Sequence, residues 1–218
     1  MIKSKVRTAS KGFPRAFSCD LPPPPLEYAH QGETMRIFTL IALILCTSFA
    51  WAKDTPSSFF DLSANSLSGK KVNFSTYRGK VVLVVNTASQ CGFTPQLKEL
   101  EEMYKKYADR GFVVLGFPSN DFKQEKGTND EVQTFAAKEF GVTFPLFDKA
   151  PVSGKDIQPV YQFLTTQKPG LIFKDVAWNF EKFLINRKGQ VVERWSSITK
   201  PSSDSITKSV EKALNEPL

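Results

Sequence analysis

Cys91 is the residue whose surroundings best suit it to chemistry. It stands in Asn86-Thr87-Ala88-Ser89-Gln90-Cys91-Gly92-Phe93-Thr94-Pro95, a polar run between an apolar stretch and an amphipathic one. A strand before it and a helix after it would put the thiol where open α/β sheets collect reactive groups. Free amides and the dipole of a helix start favour thiolate, the nucleophilic form of cysteine. The other reading of a lone cysteine is a small buried hydrophobe, which so polar a loop argues against. Counting from Cys91, the fourth residue is Thr94 and not a second cysteine, so a CxxC dithiol is excluded. The other cysteines, Cys19 and Cys46, and the one histidine, His30, all precede residue 53. From 53 onward there is no Ser-His-Asp or Cys-His pair and no histidine-ligated metal site. No metal or organic cofactor is expected.

The elements that would hold this loop follow from hydrophobic period. Lys80–Asn86 is a continuous β-branched run, as for a central strand buried on both faces. Thr94 and Pro95 read as the N-cap and first residue of a helix whose apolar face is Leu97, Leu100, Met103 and Tyr107, closed by Gly111. Phe112–Phe117 is the next strand, and strand-helix-strand implies a right-handed parallel crossover. Thr128-Asn129-Asp130-Glu131 carries the capping-box pattern and opens a helix ended by Gly141. A short strand at Phe144–Phe147 and a helix over roughly Ile157–Thr166 follow. Phe183–Ile185 and Val191–Trp195 flank a turn at Asn186-Arg187-Lys188-Gly189, and Ile206, Val210, Ala213 and Leu214 mark a last helix. Upstream, Phe59–Leu62 and Val72–Phe74 flank Ser68-Gly69-Lys70 as a hairpin. The order predicts an α/β domain of thioredoxin-like fold: a central mixed sheet flanked by helices, with an N-terminal β-hairpin.

The first 52 residues are set apart from this domain. Met35 to Ala52 reads as a signal peptide, with one arginine, an apolar run from Ile37 and an Ala50-Trp51-Ala52 end. Residues 1–34 read as a disordered leader or the product of a translation start placed too far upstream, leaving 53–218 as the folded domain. The expected location is exported, periplasmic or secreted, and cytoplasmic if the signal reading fails. Six of 29 basic and three of 22 acidic residues precede Lys53, so the remaining 166 residues carry a formal charge of +4. Their lysines are scattered, which does not support nucleic-acid binding. Apolar residues at 41% and 19 phenylalanines provide for a packed core.

Three blocks of this sequence resemble the glutathione peroxidase family. They are Asn86–Thr94, Leu115-Gly116-Phe117-Pro118-Ser119-Asn120-Asp121-Phe122-Lys123-Gln124-Glu125, and Trp178-Asn179-Phe180-Glu181-Lys182-Phe183-Leu184. They come in the family's order, and the likeness spans nearly all of 55–215. The resemblance implies a thiol peroxidase that reduces hydrogen peroxide and organic hydroperoxides. It matches the peroxidatic residue to Cys91, and the family's glutamine, tryptophan and asparagine to Gln124, Trp178 and Asn179. These three side chains are hydrogen-bond donors that need not titrate, as required around a thiolate and a departing oxygen. Taken singly, Gln124 could be a solvated loop residue, Trp178 core filling and Asn179 a turn former.

The sequence also departs from the family. Members that use thioredoxin carry a resolving cysteine where Ala136-Ala137 stands here, and another cysteine is common at Ser119. A glutamine of that segment is Asp121. The resemblance therefore implies a one-cysteine cycle, in which Cys91 sulfenic acid is met by an external thiol, glutathione or another. The short stretch Gln167–Asp175 resembles monomeric members that accept lipid hydroperoxides, and Lys123, Lys126 and Lys174 could attract an acidic thiol. Two other readings stand: a one-cysteine peroxide reductase of peroxiredoxin type, and a non-catalytic exported peroxide sensor.

Overall fold

The computed structural model describes residues 56–170 and 172–217. The leader at 1–34 and the signal segment at 35–52 lie outside the described residues. The main sheet has four strands in the order β4-β3-β5-β6: β3 (Val81–Thr87), β4 (Phe112–Pro118), β5 (Lys182–Ile185) and β6 (Val191–Trp195). β3 and β4 are parallel, with Val85 opposite Gly116 and Thr87 opposite Pro118. β5 runs antiparallel to both β3 and β6, so the sheet is mixed.

Every residue of β3 and of β4 is buried. This is why both strands read as unbroken apolar runs rather than alternating ones. Val81, Leu83 and Val85 face one layer, with α1 (Gln96–Tyr107) and α4 (Asp204–Asn215). Val82 and Val84 face the other layer, where Phe59, Phe74, Phe117 and Phe147 cluster with α3 (Pro159–Gln167). The Phe117 and Phe147 rings stack with centres 4.7 Å apart. α2 (Asn129–Phe140) starts at the expected capping box: Thr128 Oγ1 accepts the Glu131 N–H at 3.3 Å, and Glu131 Oε2 accepts the Thr128 N–H at 2.7 Å. Gly189, at φ 82°, closes the β5–β6 turn and sends its carbonyl to Phe59 N–H at 3.0 Å.

Some boundaries differ from the sequence expectation. The hairpin is β1 (Ser63–Asn65) with β2 (Lys71–Asn73), a separate two-stranded sheet. Phe59–Asp61 is a single 3₁₀ turn, because the Ser58 side chain accepts Phe60 N–H and Asp61 accepts Ser58 N–H. Phe144–Phe147 is no strand; its β-type pairing is limited to isolated bridges at Gly116–Leu146 and Ser66–Phe147. The third helix begins at Pro159 and not Ile157, and α1 begins at Gln96. Among the described residues no helix is long and apolar enough to cross a membrane.

Candidate active site

The β3–α1 loop is wound into a tight turn by Thr94. Its hydroxyl oxygen accepts Cys91 N–H at 3.1 Å and lies 2.8 Å from Ala88 O and 2.7 Å from Cys91 O, to which it donates. Thr94 N–H also returns to Cys91 O at 3.0 Å. Thr94 is therefore not the expected N-cap: its side chain ties the loop behind it instead of the helix ahead. Cys91 sits at the bend, only 7% exposed and packed with Ala88 and Leu97. It is less open than its polar neighbours implied. Phe93 N–H donates to Sγ at 3.5 Å, so a backbone donor does face the sulfur.

Gln124 reaches this loop from the segment after β4. Gln90 N–H donates to Gln124 O at 3.0 Å. One residue on, the buried Glu125 takes the Ser89 N–H and hydroxyl at 2.8 Å each. Burial pushes the Glu125 carboxyl above its usual range, against the opposing pull of Ser89 and of the Lys149 charge. The segment turns at Asn120, whose carbonyl accepts Lys123 N–H and whose Oδ1 accepts Glu125 N–H at 3.1 Å. Lys123 takes a left-handed conformation, φ 61°, uncommon for a residue with a Cβ. Asp121, where the family's glutamine was expected, accepts Val152 N–H at 2.7 Å and Ser153 N–H at 3.0 Å. Its carboxylate thus ties the 152–153 segment to this turn.

Trp178 and Asn179 arrive from the segment before β5, anchored by Asn86 at the end of β3. Asn86 Nδ2 donates to Trp178 O at 3.0 Å, Asn86 Oδ1 accepts Glu181 N–H at 2.9 Å, and Asn86 O accepts Phe180 N–H at 2.7 Å. Phe180 adopts φ 64° to make this possible. Trp178 is 42% exposed, its ring tilted against Phe122 with centres 5.1 Å apart. Asn179 is fully buried and donates from Nδ2 to Gln124 Oε1 at 2.8 Å. That bond occupies Gln124 Oε1 and leaves the NH₂ as the group that can donate. Asn179 Oδ1 is buried without a partner.

Three chain segments thus converge: Gln90 next to Cys91, Gln124, and Asn179 form a continuous hydrogen-bonded series. Among the described residues, the one hydrogen bond that Sγ accepts is from Phe93, so neither Gln124 nor Trp178 donates to it in this conformation. No group of three or more metal-ligating side chains occurs among the described residues. Asn86 and Glu125 fasten the site, a role not assigned from sequence. Asn86 left a signal: it is the polar end of an apolar strand, and a buried amide must find partners.

A family profile described as glutathione peroxidase matches residues 59–165. The "Glutathione peroxidase-like peroxiredoxin gpx1" of Schizosaccharomyces pombe is 56% identical over 146 residues, 66% of this chain and 92% of that one. The "Hydroperoxy fatty acid reductase gpx1" of Synechocystis is 47% identical over 165 residues, 72% of this chain and 96% of that one. Among solved structures, "Trgpx in apo form" has a TM-score of 0.62 at 43% identity and covers 74% of this chain and 99% of its own. A Chlorobium tepidum protein described as a putative thiol:disulfide interchange protein DsbE, TM-score 0.52 at 21% identity, shares the thioredoxin-like fold. With these relatives, the mixed sheet and the three converging segments, the chain belongs to the glutathione peroxidase family and is a thiol-dependent peroxidase.

Proposed function

We propose that Cys91 is the peroxidatic residue and that Gln124, Trp178 and Asn179 serve it. The thiolate attacks the terminal peroxide oxygen, the O–O bond breaks, and the departing alkoxide or hydroxide takes a proton. The products are Cys91 sulfenic acid and an alcohol or water. An external thiol then condenses with the sulfenic acid, releasing water, and a second thiol displaces the mixed disulfide. The observation that carries this reading is the Asn179–Gln124 bond, which occupies Gln124 Oε1 and leaves its NH₂ to donate. Such a donor can stabilise the oxygen charge that develops as the O–O bond breaks.

A one-cysteine cycle is supported by what stands where relatives carry a second thiol. Ser119 is buried and accepts Asp121 N–H, and Ala137 is an exposed position on α2. Lipid hydroperoxides are proposed as substrates alongside hydrogen peroxide. Among the described residues, Ile172, Phe173, Trp178 and Ile198 are the large hydrophobic side chains left exposed, and three of them lie in or next to the Trp178 segment. The Synechocystis relative, named a hydroperoxy fatty acid reductase, supports the same substrates. A monomer fits the short stretch Gln167–Asp175. Export with cleavage after Ala52 is proposed from the sequence, and N-terminal sequencing of the native protein should read Lys53 first.

Steady-state turnover of hydrogen peroxide with glutathione, then with a thioredoxin system, tests the activity and identifies the reductant. Cys91→Ser should abolish turnover with the fold unchanged. Near-normal activity in that variant would refute the role of Cys91, and stoichiometric oxidation without turnover by any thiol would favour a sensor.

A further inference from the structure

Residues 168–181 carry Trp178 and Asn179, yet hold no helix or strand among those described. Backbone polar groups there need partners from elsewhere. Arg194 on β6 supplies them. It lies opposite Phe183 in the β5–β6 ladder, with Cζ 4.9 Å from the centre of that ring. Nε donates to Glu181 Oε2 at 2.9 Å, and Nη2 lies 2.8 Å from the same oxygen. Nη2 also donates to Asp175 O at 2.8 Å, and Nη1 donates to Lys168 O at 3.1 Å and Lys174 O at 2.9 Å. Four guanidinium N–H groups thus donate hydrogen bonds, and Nη2 also pairs ionically with the Glu181 carboxylate. Glu181 uses its other oxygen to accept Ala177 N–H at 2.7 Å. The two side chains are 8% and 6% exposed. The segment closes so tightly that a Cβ on Gly170 would meet Arg194 Cζ at 3.2 Å and Nη1 at 3.3 Å.

A buried ion pair is weak evidence for stability, since desolvation offsets most of its attraction. This one surrounds a single feature. Its bonds take the carbonyls of Lys174 and Asp175 and the amide of Ala177, the residue before Trp178. Just after Trp178, Glu181 itself is anchored through its backbone to Asn86. We propose that Arg194, acting through Glu181, is a positioning residue that holds the Trp178 indole for the peroxide step. This rests on Trp178 being a donor in that step. Lysine could not substitute, because its point charge and three N–H groups lack the planar fork that reaches carboxylate and carbonyls together.

The test is stopped-flow oxidation of Cys91 by hydrogen peroxide in the full chain, followed by reduction with thiol. Variants are Trp178→Phe, Arg194→Lys, Glu181→Gln and the doubles with Trp178→Phe. Arg194→Lys should slow oxidation by about 10–100-fold, the scale of a misplaced catalytic group. Thiol reduction should stay within about twofold of wild type, as for an interaction confined to the other half-reaction. In the Trp178→Phe background the further loss should be under about threefold, since residues acting as a unit are not additive. Glu181→Gln, which keeps an acceptor for Ala177, should give the same non-additive loss and carries the test if Arg194→Lys does not fold. Wild-type oxidation rates in both variants, or fully additive losses in the doubles, would overturn the proposal. A wild-type rate in Trp178→Phe alone would remove the donor role and the proposal with it, while losses in Trp178→Phe but not in the pair would overturn the positioning role alone.

Discussion

Lys182 sets up a pH dependence of stability that can be worked in advance. It opens β5 opposite Val85, fully buried on the sheet face that packs α1. Its Nζ donates to Thr199 O at 2.6 Å and lies 3.4 Å from Ser197 O, and among the described residues no carboxylate forms an ion pair with it. Burial lowers its pKa from 10.5 to about 7, against the weaker opposing charges of Glu99 and Glu181. Folding therefore favours the neutral amine. Above pH 10.5 the amine is neutral in both states and costs nothing electrostatically. Between 10.5 and 7 the unfolded chain holds a proton that the folded one does not, so stability falls by about 1.4 kcal/mol per pH unit as pH drops. Below 7 the full penalty stands, on the order of 5 kcal/mol from a shift of about 3.5 units.

Lys182→Met removes this titration while filling a similar volume. It also leaves the Thr199 carbonyl without its donor, a pH-independent loss of about 1–3 kcal/mol. The variant should therefore be more stable than wild type near pH 6 and less stable near pH 10. Urea unfolding of both proteins at several pH values measures the difference, which cancels every other titrating group. The expected change in that difference between pH 6 and pH 10 is about 4 kcal/mol. A difference that stays flat within 1 kcal/mol or so over that range would refute a desolvated, uncompensated lysine.

Three further outcomes follow from the same structure. Asn179→Ala should slow peroxide oxidation of Cys91 by about 10²–10³-fold, as for the loss of one aimed donor, because Gln124 would be free to turn; an unchanged stopped-flow rate would show that the Asn179–Gln124 bond does not matter. Gly189→Ala should destabilise by about 2 kcal/mol or more, since φ 82° disfavours any Cβ and the added atom would press on Ser58 and Phe60; a thermal midpoint equal to wild type would contradict this. Peroxide without thiol should add two and then three oxygens to Cys91 in intact-mass spectra, whereas glutathione should divert the sulfenic acid to a mixed disulfide and protect activity. A sulfenic acid persisting for hours, or a covalent dimer as sole product, would rule out the one-cysteine cycle.

Residues were legible in the sequence where local pattern and burial agree. The fully buried β3 and β4 declared themselves as apolar runs, and Thr128 with Glu131 announced α2. Legibility failed where a side chain answers to a distant part of the chain. Thr94 has the identity of an N-cap, but Ala88 O and Cys91 draw its hydroxyl backward, and α1 opens later. Phe59–Leu62 has strand composition, yet Ser58 and Asp61 close a local box that winds it into a turn.

The same distinction runs through the site. Cys91 was legible from its loop between strand and helix, whereas Gln124, Trp178 and Asn179 were found by resemblance to a family, because no spacing rule joins residues this far apart. What resemblance could not give is how each is held. Asn86, Glu125, Glu181 and Arg194 are all polar or charged, and apart from Asn86, the polar end of an apolar strand, their types alone give no sign of burial. Each becomes buried only when an irregular segment docks on it, and each then takes up backbone groups which that segment cannot pair within itself. Three loops without regular structure can present donors to a sulfur only if their backbones are fixed from outside. In this fold that work falls to buried side chains at the ends of β3 and around β5 and β6, so mutations there should act on the peroxide step without touching peroxide.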